Sequence, residues 1–84
     1  MSHIAKAPAM DVLLAMRFGE VLRERRMALG LSQDTLAFNA DLHRTYISLL
    51  ERGIRQPSLE TIFTLAREIN WEPDELIRQV QERY

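Results

Sequence analysis

SQDTLAFNADLHRTYISLLERG, residues 32–53, reads as two short helices joined by a tight turn. Ser32 suits the N-cap of the first, since its hydroxyl can accept a hydrogen bond from a free amide of the opening turn. Leu36, Ala37 and Ala40 fall on one face of that helix. Asn39-Ala40-Asp41 breaks it, and Asp is among the few non-glycine residues that tolerate a left-handed turn. A second helix is expected from Arg44, with Ile47 and Leu50 facing inward and Tyr46 beside them as half-buried support. Its other face carries Arg44, Thr45, Ser48 and Arg52, with apolar Leu49 among them. One apolar face and one donor-rich face, set after a three- or four-residue turn, is what a helix that reads a DNA major groove requires.

Working outward, residues 1–9 begin without a periodic pattern and are expected to form a flexible tail, leaving residues 10–84 as the folded domain. From Asp11 the run VLLAMRFGEVLRERRMAL is helical in pattern. Phe18, Val21, Leu22 and Leu29 make its core stripe, Arg17, Glu20, Arg23 and Glu24 its solvated side, and Gly30 its stop. Val12, Leu13, Leu14 and Met16 either lengthen this helix against the core or cover a partner. Beyond the central pair, residues 53–57 form a loop closed by Pro57, with Ser58 as the next cap. A fourth helix is predicted over Leu59–Ile69, burying Leu59, Ile62, Leu65, Ala66 and Ile69, with Phe63 off that stripe. Trp71-Glu72-Pro73 is a break, and Pro73 suits a first helical position. A fifth helix follows from Asp74 to Arg83, with Leu76, Ile77 and Val80 apolar. The fold class expected is all-α, with five helices.

Eighty-four residues allow one small domain, burying about 60–65% of its unfolded surface. Hydrophobic residues at 46% are enough for a core, and the absence of cysteine excludes disulfides and thiol chemistry. No apolar run approaches the roughly 20 residues of a membrane span, so a cytoplasmic location is expected. His3 and His43 are too isolated for a metal site, and nothing places Ser, His and Asp as a triad, so neither metal, cofactor nor enzymatic activity is expected. The net charge of −1 looks wrong for a nucleic-acid binder, but it is unevenly spread. Residues 1–55 hold eight Lys/Arg against six Asp/Glu, and residues 56–84 hold three against six. The positive half contains the proposed reading unit.

Leu31-Ser32-Gln33, Leu36-Ala37, Tyr46-Ile47-Ser48, Leu50-Glu51-Arg52-Gly53 and Pro57-Ser58-Leu59 together resemble the lambda-repressor-like (XRE-type) helix-turn-helix family, over residues 18–80. Arg44-Thr45-Tyr46-Ile47-Ser48 is most similar to the controller proteins of restriction–modification systems. The resemblance implies a compact five-helix lambda-repressor-like domain that regulates transcription, reading a palindromic operator through the major groove as a homodimer. Its implied partners are double-stranded DNA bearing an inverted repeat, a second copy of the chain and RNA polymerase. It places Gln33 on a DNA phosphate and Arg44, Thr45 and Ser48 on bases or phosphates, and it pairs Arg26 with Glu51. Two residues depart from the family pattern. Asp41 stands where Gly is frequent, and His43 where a small polar or acidic cap is frequent.

Arg44 is the sharpest candidate, since a guanidinium can grip a guanine's O6 and N7 with two donors. Leu49 could meet a thymine methyl, and Arg52 and Arg55 flank the helix end and loop, where phosphate contact is expected. His43 and Tyr46 complete the DNA-facing set. Phe63, Trp71, Leu76 and Val80 are left over once the core is assigned and are expected to form the dimer interface. The alternative is a protein-interaction module on the same fold, such as an antitoxin or adaptor. Salt separates the two, because phosphate neutralisation makes affinity fall steeply with ionic strength and an apolar interface does not.

Overall fold

Helices α1 (Val12–Ala28), α2 (Gln33–Ala40), α3 (Arg44–Glu51), α4 (Leu59–Glu68) and α5 (Pro73–Arg83) follow one another in a computed structural model that describes residues 9–84. The expected N-terminal tail lies, apart from Ala9, outside the described residues. No strand occurs among the described residues, and none of their helices is long and apolar enough to cross a membrane.

Local chemistry sets the helix ends. Asp11, Ser32 and Ser58 cap α1, α2 and α4, each side-chain oxygen accepting from the amide three residues on, of Leu14, Thr35 and Thr61. Pro73 opens α5, where its missing N–H costs nothing. Asp41 ends α2 in the left-handed conformation expected of it (φ 56°), and the Leu42 amide then closes onto the Ala37 carbonyl at 2.9 Å. Asn70 does the same after α4 (φ 60°), returning the Trp71 amide to the Ala66 carbonyl.

The core gathers Phe18, Val21 and Leu22 of α1, Leu36, Ala37 and Ala40 of α2, Ile47 and Leu50 of α3, Leu65, Ala66 and the adjoining Ile69 of α4, and Leu76 and Val80 of α5. α3 packs on both α1 and α2, α4 on α2 and α5, and α5 returns to α1. Arg83 strengthens that return, its guanidinium pairing with Glu24 while its carbonyl accepts from Arg17 Nε at 3.0 Å. Arg25 ties α1 to the α4–α5 junction: Nε donates to the Ile69 carbonyl at 2.9 Å, and the guanidinium lies 4.7 Å from the Trp71 ring centre.

Three sequence expectations are corrected, and one left open is answered. Leu76 and Val80 belong to the protomer's own core, at 0% and 4% exposure, and so have no surface to give a partner. Two helices crossing over α5 from one side need its whole buried stripe, which periodicity alone could not assign. Leu59 is 71% exposed rather than buried, because as the first residue of α4 it projects before the helix meets the core. Leu29, outside the last turn of α1, is half-buried rather than central. Of the apolar start of α1, Leu14 packs against the core while Val12, Leu13 and Met16 remain exposed.

Candidate nucleic-acid interface

α3 is held at its C-terminal end by a buried cluster. Glu51 Oε2 accepts from Arg26 Nε at 2.6 Å, and Oε1 accepts from Arg26 Nη2 at 2.9 Å and from Gln33 Nε2 at 3.0 Å. Arg26 Nη1 donates in turn to the Leu31 carbonyl at 2.8 Å. One carboxylate thus joins α1, the turn after it, the first residue of α2 and the last residue of α3. Both side chains are largely enclosed (10% and 2% exposed), so the forked geometry of the guanidinium is satisfied away from water. The hydrogen bond to Glu51 raises the Arg26 pKa above its ordinary value, against the pull of burial. The pairing implied by the family resemblance is present, and it fixes the angle at which α3 leaves the body.

From that anchor, α3 turns Ile47 and Leu50 into the core and leaves a polar strip outside. Arg44 and Thr45 are exposed at its first turn, Ser48 and Leu49 are half-buried along it, and Arg52 is exposed just past its end. Arg55 continues the strip in the loop, its guanidinium 5.9 Å from the ring centre of Tyr46. Tyr46 is half-buried against the core, as support for this surface. His43 occupies the N-cap position but makes no side-chain cap bond, so α3 starts without the help that α1, α2 and α4 receive.

Gln33 lies half-buried at the first position of α2, with its amide nitrogen already committed to Glu51. Beside it Asp34, which the sequence analysis did not single out, places Oδ1 3.4 Å from Arg44 Nε. The signal that could have found it is the absence of any acidic residue in the first turn of α3, whose first residue is a cation. Phe63 and Trp71 lie on α4 and at the α4–α5 junction, apart from this strip. Phe63 is half exposed, whereas Trp71 is partly covered by Arg25. Among the described residues no cluster of three or more metal-ligating side chains forms.

A family model described as helix-turn-helix matches residues 22–76, a span running from the middle of α1 into α5. Control protein C.BamHI of Bacillus amyloliquefaciens is 43% identical over 61 residues, which cover 71% of the present chain and 75% of that protein. The crystal structure of the restriction–modification controller protein C.AhdI from Aeromonas hydrophila superposes with a TM-score of 0.72 at 50% identity. The match covers 74% of the present chain and 94% of the controller. The clp gene regulator ClgR from Corynebacterium glutamicum reaches a TM-score of 0.79 at 26% identity, covering 92% of the present chain and 96% of that structure.

Proposed function

The chain belongs to the XRE-type helix-turn-helix family, and from that membership we infer that it is a DNA-binding transcriptional regulator of the restriction–modification controller type, reading an inverted-repeat operator as a homodimer. Its family is one of regulatory DNA-binding proteins, not of enzymes. The observation that carries the reading is the outer strip of α3 and its end, with Arg44, Thr45 and Arg52 exposed and Ser48 and Leu49 half-buried between them, on a helix braced from behind by Arg26 and Glu51. In this reading Arg44 meets a guanine, Thr45, Ser48 and Leu49 meet neighbouring base edges or backbone, and Gln33, His43, Arg52 and Arg55 contact phosphates. Tyr46 steadies the strip. The antitoxin or adaptor reading is not favoured by relatives that are themselves control proteins and gene regulators.

Replacing Arg44 with Ala should cost about 1–3 kcal/mol on the preferred site and relax the preference at one base position. Arg55→Ala should weaken all duplexes alike and lower the salt slope by about one. Binding to duplexes selected from a random pool, followed across salt concentrations, checks both. An Arg44→Ala variant that keeps the wild-type preference removes Arg44 from base reading.

Selectivity calls for two half-sites, because one helix in one groove touches few base pairs. Phe63 (51% exposed) and Ile77 (45% exposed) flank a largely apolar furrow between α4 and α5, with Leu59, Ile62 and Pro73 beside them and Asp74, Arg78 and Gln81 along its α5 side. This face of the acidic half is where a second copy is placed, with α5 of the single domain 10–84 serving as the dimerisation helix and Trp71 at its margin. Two reading helices would then enter successive major grooves about 34 Å apart. In this reading RNA polymerase is a further partner, met in the cytoplasm. Phe63→Glu should yield monomers at tens of micromolar in sedimentation while the wild type is dimeric. A variant that pairs as well as its parent sinks the interface.

A further inference from the structure

Both ends of α3 carry the charge that its own dipole disfavours. Arg44 stands at the positive N-terminus and Glu51 at the negative C-terminus, with no acidic residue in the first turn and no basic one in the last. Each charge is answered from another helix, Glu51 by Arg26 of α1 and Arg44 by Asp34 of α2. The two answers differ in kind. Arg26 and Glu51 are buried and structural, whereas Arg44 and Asp34 are 63% and 78% exposed, where an ion pair adds little to stability. The ion pair itself therefore adds little stability, and what Asp34 contributes to the fold is its place as the acidic residue in the first turn of α2.

The geometry points to Asp34 as a positioning residue for base selection. Its carboxylate sits on the Nε side of the Arg44 guanidinium. A guanidinium is a planar fork, so holding it at Nε leaves Nη1 and Nη2 as the edge offered to the O6 and N7 of a guanine. In the groove, where water is displaced, the same pair is less screened and holds the fork more firmly. The carboxylate also repels phosphate oxygens, so it lowers affinity for DNA in general while sharpening choice among sequences. This role rests on Arg44 reading a base, and the test separates the two.

The probes are the duplex that wild type selects from a random pool, its variants at the Arg44-dependent position, and an unrelated duplex. With Asp34→Ala, discrimination at that position should fall about two- to fivefold, the range an exposed charge pair can supply. Binding to the unrelated duplex should strengthen, with a steeper salt slope. Asp34→Glu keeps the charge of the ion pair and should recover part of the discrimination, whereas Asp34→Asn should not. In an Arg44→Ala background, Asp34→Ala should change the preference no further. Full discrimination in Asp34→Ala, with only a lower melting temperature from loss of an acidic residue in the first turn of α2, overturns the positioning role and leaves base reading intact. Full discrimination in Arg44→Ala as well overturns both.

Discussion

Glu51→Ala should destabilise the domain by about 3–5 kcal/mol, because it strands a buried guanidinium. For a chain of this length total stability is on the order of 5–10 kcal/mol, so the variant should lose a large share of it and melt well below wild type. Two further groups lose their partner at once, the Gln33 amide and, through Arg26, the clasp on the Leu31 carbonyl. Arg26→Ala should cost a similar amount, since it leaves the Glu51 carboxylate enclosed and unpaired. The double change Arg26→Ala with Glu51→Ala should cost less than the sum of the single changes, as the desolvation penalty disappears with the charges. Urea melts of the set measure the coupling. Additive single effects would mean that the pair makes no joint contribution. DNA binding by the double variant, if it folds, should lose selectivity more than stability, since the angle of α3 is no longer set.

Gly19→Ala should lower stability by about 3 kcal/mol, against the usual sign for glycine inside a helix, where alanine gains nearly 1 kcal/mol. Gly19 sits in the middle of α1, buried where α1 crosses α3. A Cβ there would lie 2.5 Å from the Glu51 carbonyl oxygen, and closer still to that of Leu50. Those are backbone atoms of α3 and cannot swing aside as a side-chain tip could, so the helices must separate. Separation would open the core around Leu22 and Leu50 and stretch the Arg26–Glu51 bonds nearby. Thermal unfolding of Gly19→Ala and Gly19→Ser decides, the serine being expected to be at least as destabilising. An alanine variant that melts above wild type would show that the helices are not held at this distance.

The effect of Gly19 illustrates which information is local and which is not. In the sequence, Gly19 interrupts the apolar run of α1 without any signal of its use, because the atoms that require it belong to residues 50 and 51. Leu76 and Val80 are a similar case. Their 3.6-residue periodicity says that α5 has an apolar stripe, but not whether that stripe is covered by the protomer's own α1 and α4 or by a second copy. Phe63 shows the reverse, since falling off the stripe of α4 was enough to place it outside.

The sequence alone determined the five helices, their caps at Ser32 and Ser58, the turn at Asp41 and the donor-rich face led by Arg44. Each of these follows from hydrogen bonds and periodicities within a few residues, which a linear chain displays. Only the tertiary structure decided that Gln33 is shared with Glu51, that Leu59 faces solvent, that Leu76 and Val80 are core, and that Asp34 stands at the guanidinium of Arg44. These depend on how helices cross to bring together residues ten or more apart in the chain, where approach distance and burial, not local preference, settle which groups meet.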